Sequence, residues 1–356
     1  MIEHVKRELI NRENMEKKLA YTTDFENQMS GPRGTIDGNS PEVLFMDYVS
    51  KGETDRAAAL FDDTKLFGGK SVVDEPHGRY EGLDEIRHFA DSWLGFALAE
   101  SGWVTPLVQT RCMGRSLTEM MISLKIKGTG GKVLKFPAAV IGDIRPGNKL
   151  DELRAYYFCG WLPGIIPYRP RQWKPQYGGI ADHEMLYGAL KEYFDMMHMK
   201  NRPLEKLLML FDNDIRSGEY RPDQLCIPFK GYEGAKELYS RLYGPTPLWN
   251  VLRVEHIIDD GVTGAVEWIS CPTPPEDCAE EKYGPCRWDV HSWQSGFAAY
   301  ERNPKNGKIW CIRICDYYGF EYPDNRIEEA YMGNPYPSGP CEFNEELRIE
   351  NLHIRW

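Results

Sequence analysis

Leu60-Phe61-Asp62-Asp63 followed by Arg79-Tyr80-Glu81-Gly82 comes back as Leu210-Phe211-Asp212-Asn213 followed by Gly231-Tyr232-Glu233-Gly234. The offset is 150 residues at the first pair and 152 at the second. Repeats of roughly 20–50 residues indicate a solenoid, so a period of this size indicates whole globular units in tandem. Each block runs into a helix-like stretch (residues 83–94 and 235–243), strand-like segments and a final strand (residues 150–158 and 309–317). Helices first and a β-meander afterwards predict an α+β fold, made twice.

Bulk properties agree. A length of 356 with 42% apolar and 12% aromatic residues fills two ordinary cores. A net charge of −11 and the lack of a basic run argue against nucleic acid, whose phosphates require clustered Lys and Arg. The first twenty residues are charged, without the apolar core of a signal peptide, and no stretch approaches the length of a membrane span. The expectation is a soluble cytoplasmic protein. Nine cysteines in a long chain fit free thiols better than a disulfide scaffold. Cys271, Cys278 and Cys286 flank a Pro-rich loop at spacings outside the usual zinc range, so no metal is expected. Cys311 and Cys315 share one strand face as small apolar residues.

The expected organisation is a helical arm (residues 1–40), a first domain (41–160), a Pro/aromatic linker (161–181), a second domain (182–325) and a C-terminal extension (326–356). Within the first domain, apolar residues at 83, 86, 89, 90, 93 and 94 form one helical face. Strands are expected over residues 106–113, 117–126, 133–144 and 150–158. In the second, Asp182 is read as the cap of a helix reaching about residue 199.

Gly52-Glu53, Leu60 to Asp63, Tyr80 to Phe89, and Leu153-Arg154-Ala155-Tyr156 together resemble the nuclear transport factor 2-like superfamily, in particular SnoaL-like polyketide cyclases and ketosteroid isomerases. The second copy resembles it through Leu210 to Asn213, Tyr232-Glu233-Gly234, Gly307-Lys308-Ile309 and Ile312-Arg313. The resemblance implies two tandem cystatin-like cones, each with helices packed in a strongly bent, mostly antiparallel sheet. It also implies a cavity for a small apolar ligand, cofactor-free isomerase or lyase chemistry or none, and homo-oligomers formed through sheet faces.

The resemblance places the isomerases' catalytic base over Val73-Asp74-Glu75-Pro76, with His77 beside it. At a constant offset of 152, Asp74, Glu75 and His77 become Cys226, Ile227 and Phe229 in the second copy, so polarity is lost there. Two carboxylates and an imidazole beside an apolar cavity suit proton transfer, because desolvation and mutual charge push their pKa values toward neutrality. The alternative is a solvated loop. Helix-borne Asp47 and Tyr48, Tyr193, Asp195 and His198, together with Tyr80, are candidates for holding a substrate or its oxyanion. Phe45 and Ala139 stand where the steroid isomerases carry their oxyanion Tyr and Asp. Arg287, Asp289, His291 and Trp293 alternate along one expected strand, so Asp289 and His291 form a second acid/base pair or part of a charge ladder. His256 is read as a satisfied sheet histidine. Gly128-Thr129-Gly130-Gly131 is read as a hairpin turn, since no helix follows it to bind a dinucleotide.

The expected function is therefore cofactor-independent dehydration, retro-aldol cleavage or double-bond migration on a small aromatic or polycyclic substrate. Its rival is a non-catalytic ligand-binding or assembly protein.

Overall fold

In the computed structural model the chain forms two compact units. The described residues are 36–63, 69–75, 78–96, 99–112, 114–157, 186–197, 203–219, 230–242, 250–272 and 294–317. The arm, the linker and the C-terminal extension, apart from residues 36–40, lie outside them.

The first unit opens with helix α1 (Pro41–Lys51) and short helix α2 (Thr54–Ala58). Strands β1 (Val72–Glu75) and β2 (Gly78–Glu81) lead into helix α3 (Leu83–Phe96). A meander follows: β3 (Ala99–Cys112), β4 (Arg115–Ile126), β5 (Val133–Arg145) and β6 (Lys149–Tyr157). The sheet order is β2-β1-β6-β5-β4-β3, antiparallel throughout except where β1 runs parallel to β6. The core lies between the helices and one sheet face. Phe45, Met46 and Val49 of α1 and Ile86, Phe89, Ala90 and Trp93 of α3 pack on Met120, Ile122, Val140, Leu153 and Ala155.

Strand β3 begins seven residues before the expected start at Pro106. A proline cannot donate to a ladder, but β3 is an edge strand and its register shifts between Pro106 and Val108, the two settings in which a strand tolerates proline. Simple alternation also fails to describe β4, because both of its faces are buried from Ser116 to Leu124.

Helix α1 is tied to the sheet by Glu42, which is fully buried. Its Oε1 accepts hydrogen bonds from the hydroxyls of Ser40 (2.8 Å), Ser116 (2.6 Å) and Thr118 (2.8 Å). The helix comes so near that a Cβ on Gly142 would lie 2.7 Å from Leu150 and 3.2 Å from the Glu42 Cβ.

The second unit repeats the order, with five strands among its described residues. Helices α4 (Gly188–Met197) and α5 (Leu204–Leu208) precede strand β7 (Phe211–Glu219) and helix α6 (Gly231–Leu242). The meander comprises β8 (Asn250–Asp259), β9 (Thr263–Pro272), β10 (Gln294–Arg302) and β11 (Ile309–Tyr317). Its sheet order is β7-β11-β10-β9-β8, with β7 parallel to β11. Helix α4 is bounded six residues after its expected cap, Asp182, which lies outside the described residues. Its entry is held by a buried pair instead: Asp259 accepts the Tyr187 N–H at 3.0 Å, and Arg302 donates to both Asp259 and the Tyr187 carbonyl.

The repeated Leu-Phe-Asp does the same work in both units. Leu150 N–H donates to the Leu60 carbonyl and Ile309 N–H to the Leu210 carbonyl, each at 2.9 Å, which starts the parallel pairing with the closing strand. The aspartates then reach the preceding hairpin. Asp62 meets Arg145, and Asp212 accepts from the side-chain amides of Asn303 (2.9 Å) and Asn306 (2.7 Å).

Burial raises the Asp212 pKa, but the Asp214 N–H, the Asn306 and Asn303 amides and the Lys308 charge outweigh it, so the net shift is downward. A carboxylate depressed in the folded state adds stability above its unfolded value near 4 and loses that contribution as pH falls through the lower folded value. Asp212→Asn should therefore cost about 1–3 kcal/mol near pH 7. Urea unfolding repeated at successively lower pH should show the two proteins converging below about pH 4.

Candidate functional site

Strand β1 decides where the two neighbouring carboxylates go, because successive residues of a strand point to opposite faces. Val73 and Glu75 face the helices, and Val72 and Asp74 face the other way. The pairings fix this. Val73 lies opposite Tyr80 and Leu153, both core residues, while Asp74 lies opposite Arg79 and Arg154. The two carboxylates therefore do not form one dyad.

Asp74 belongs to an ion-pair network on the outer face, 2.7 Å from Arg79, which also meets Glu81 at 2.8 Å. On the same face Arg154 meets Asp143 at 2.6 Å and Glu152 at 3.1 Å, and Arg115 meets Asp143 at 2.6 Å. Burial disfavours the charge of Arg79, yet Asp74, Glu81 and Glu152 together hold its pKa above the ordinary guanidinium value. This network fastens β1 and β2 to the meander.

Glu75 is enclosed in the core, with no exposed surface. Tyr157, near the end of β6, donates its hydroxyl to Glu75 Oε2 at 2.5 Å. The Tyr80 hydroxyl approaches Oε1 at 3.4 Å, and the Trp93 indole N–H of α3 donates to the Tyr157 oxygen at 2.9 Å. Aromatic rings form the walls: Phe89 lies 4.8 Å from Tyr80 between centroids, Phe136 lies 5.6 Å from Tyr157, and Trp93 meets Tyr157 edge-on. The result is a carboxylate held by phenols from two other strands inside an apolar, aromatic shell.

Of the expected site residues, Glu75 and Tyr80 converge here. Asp47 sits on the outer side of α1, paired with Lys51 at 2.5 Å. Tyr48 lies at the core edge, its hydroxyl accepting from Arg56 at 2.9 Å and its ring 4.1 Å beneath the guanidinium. Asp195 is exposed and paired with Lys191 at 2.5 Å. Tyr193 is buried in the second unit among Phe194, Phe211 and Tyr300, its hydroxyl 2.9 Å from that of Tyr239. His256 Nδ1 lies 3.1 Å from Glu267 across the β8–β9 ladder. His77, His198, Asp289, His291, Cys278 and Cys286 lie outside the described residues. Among the described residues no three His, Cys, Asp or Glu side chains gather as metal ligands, and no helix is long and apolar enough to cross a membrane.

Sequence reading omitted Tyr157 and Trp93. The signal was available: Leu153, Ala155 and Tyr157 alternate onto one face of β6, and Trp93 lies on the apolar face of α3 with Ile86 and Phe89.

Strand pairing also revises the correspondence between the copies. Val72 pairs with Glu152, two residues beyond Leu150, and Arg216 pairs with Cys311, two beyond Ile309. Val72 thus matches Arg216, and by the same count Glu75 matches Glu219, which pairs with Ile314. Glu75 therefore corresponds to Glu219, whereas Cys226, Ile227 and Phe229 lie outside the described residues. Tyr157 is matched by Asp316, seven residues beyond Ile309 as Tyr157 is beyond Leu150. A bridge between Arg216 and Lys230, like the Val72–Glu81 pair, matches Gly231 to Gly82. Both glycines have positive φ (74° and 89°) where they open the third helix of the unit. The second Tyr-Glu-Gly accordingly lies in the first turn of α6, not on a strand.

No family model matches this chain, and no curated protein does. It is similar to solved structures. One is a protein of ketosteroid isomerase-like fold from Catenulispora acidiphila, in complex with trimethylamine; the match is 16% identical, covers 38% of this chain and 98% of that one, and has a TM-score of 0.30. A nuclear transport factor 2-like protein from Anabaena variabilis is 15% identical over 40% of this chain and 91% of its own, with a TM-score of 0.27. An epoxide hydrolase from M. tuberculosis is 16% identical over 32% of this chain and 76% of its own, with a TM-score of 0.26. Each likeness is partial, and the mixed α+β order of this chain is read from its own elements.

The two carboxylates should separate by experiment. Asp74→Asn should lower stability by about 1–3 kcal/mol in urea unfolding, since it weakens a buried charge-assisted bond to Arg79. Glu75→Gln keeps shape and phenol contacts and should cost less, so the opposite ranking would contradict the assignment of the two faces.

Proposed function

We propose that the first unit is a cofactor-independent acid/base catalyst, with Glu75 taking and returning a proton on a small, largely apolar ring-bearing substrate. The observation that supports this reading is Glu75 itself, buried among aromatic rings and hydrogen-bonded by Tyr157, with Tyr80 beside its other oxygen. A buried carboxylate in a dry site transfers protons to and from carbon without competition from bulk water. The tyrosines supply hydroxyl donors where negative charge develops on a substrate carbonyl. Isomerisation and dehydration proceed through such an enolate, retro-aldol cleavage of a deprotonated β-hydroxyl releases one, and none of them needs a redox partner. Asp74 and Arg79 contribute by holding β1, not by touching the substrate.

The second unit suits a different role. Its described interior is an aromatic cluster of Tyr193, Phe194, Phe211, Tyr239 and Tyr300, closed by a phenol–phenol hydrogen bond. That filling favours a structural or ligand-holding unit, the non-catalytic alternative applied to one half of the chain.

Two probes test the reading: a β-hydroxy-β-aryl ketone for elimination or retro-aldol cleavage, and a β,γ-unsaturated cyclic ketone for double-bond migration. With whichever is turned over, Glu75→Gln should lower kcat by about 10²–10⁴-fold, the usual contribution of a general acid/base. Asp74→Asn should leave kcat within about threefold of the parent. Equal activity in Glu75→Gln and the parent would dismiss Glu75 as the proton-transfer group.

A further inference from the structure

Among the described residues of the first unit, Trp93 is the largest fully buried side chain, at 1% exposure. Core packing alone would be served by any apolar side chain of that size. Its indole N–H, however, is aimed at the Tyr157 oxygen at 2.9 Å, and Tyr157 in turn donates to Glu75 Oε2 at 2.5 Å. An indole is a donor only, whereas a phenol both donates and accepts. By filling an acceptor position of Tyr157, Trp93 directs the phenol proton toward the carboxylate. Hydrogen bonds in series polarise one another, so the indole also makes Tyr157 a stronger donor to Glu75.

We propose that Trp93 is a positioning residue for the proton-transfer step: it acts through Tyr157 to fix the Glu75 carboxylate in the orientation from which it carries the substrate proton. The inference rests on the reading of Glu75 as the acid/base group. In the step, the substrate C–H bond breaks, its electron pair moves to the carbonyl oxygen as an enolate, and an O–H bond forms on the Glu75 carboxylate. Return of that proton to another carbon completes a double-bond shift, with no change in oxidation state. Three elements meet in this relay, α3, β6 and β1. The indole keeps the Tyr157–Glu75 pair in register as charge leaves the carboxylate, and so lowers the barrier without touching the substrate.

Two measurements on the full chain test it. In the first, Trp93 is replaced by 3-benzothienylalanine, in which sulfur stands for the N–H and the shape is kept. The expected result is a fall in kcat of up to about tenfold with KM unchanged, the size of one neutral hydrogen bond, on the ketone probe that the parent turns over. Trp93→Phe should show the same fall with an added loss of stability. In the second, the Trp93 indole N–H resonance, assigned by its disappearance in Trp93→Phe, is followed in nitrogen-15-labelled protein. Glu75→Gln should move it, although the carboxylate is two hydrogen bonds away, and should no longer move it in a Tyr157→Phe background. A role in packing alone would leave kcat untouched by the isostere and the indole resonance blind to residue 75, and either result overturns the proposal. The resonance needs no substrate. A chain that turns over neither ketone would thus refute the acid/base reading of Glu75 while the relay through Tyr157 is still decided by the spectrum.

Discussion

Four residues of strand β1, laid parallel to the closing strand, govern where two neighbouring carboxylates of the first unit lie. Because a strand alternates its faces, Asp74 and Glu75 are separated by the sheet although they are adjacent in sequence. One carboxylate is committed to a network of arginines that fastens the edge of the sheet. The other is committed to phenols and rings. Had β1 paired one residue out of register, the two would have exchanged environments. The Asp74–Arg79 and Asp74–Arg154 pairings are what prevent this, since the slipped register would bring the acidic side chain that matches Arg79 into the apolar core.

Much of the fold could be read from the chain. The closing strand at residues 309–317 was bounded as found, and Leu-Phe-Asp marks in both units the point where the chain bonds the start of the closing strand. Pattern alone failed where an edge or a second buried face relaxed the local rule. Pro106 reads as a strand boundary but sits inside β3, which lies at the sheet edge and is bulged there. The site was half legible. Glu75 and Tyr80 are near neighbours in sequence. Tyr157 lies 82 residues from Glu75 and Trp93 lies 64 from Tyr157, contacts created only by the sheet order.

The nearly constant offset between the Leu-Phe-Asp and Tyr-Glu-Gly stretches of the two units hides a displaced strand between them. Between Phe61 and Val72 the chain takes 11 steps, and between Phe211 and Arg216 only five. From Glu75 to Gly82 it takes seven, and from Glu219 to Gly231 it takes 12. The shortening before the strand and the lengthening after it nearly cancel, so the offset returns to within one residue of its starting value while the strand between is displaced by six. Motif spacing on either side therefore looked constant. Only hydrogen-bond register, which cannot slip without turning side chains to the wrong face, recovers Glu219 as the residue matching Glu75.

The energetics of the Glu75 site separate stability from function. Burying a carboxylate costs several kcal/mol before any partner is found, and hydrogen bonds from phenols return only part of that. An apolar side chain packed among Phe89, Phe136 and Trp93 would stabilise the core at least as well. In the same unit Asp74 shows what a carboxylate kept for architecture looks like: paired with a guanidinium, on the far face, within a larger network. Glu42 shows a second architectural solution, with three hydroxyls converging on one oxygen at the start of a helix. Glu75 is met by phenol hydroxyls, one of them held in turn by an indole from a third element. A carboxylate met by phenols inside an aromatic shell supplies the geometry that the proposed proton transfer uses, whereas the guanidinium pairing of Asp74 serves the edge of the sheet.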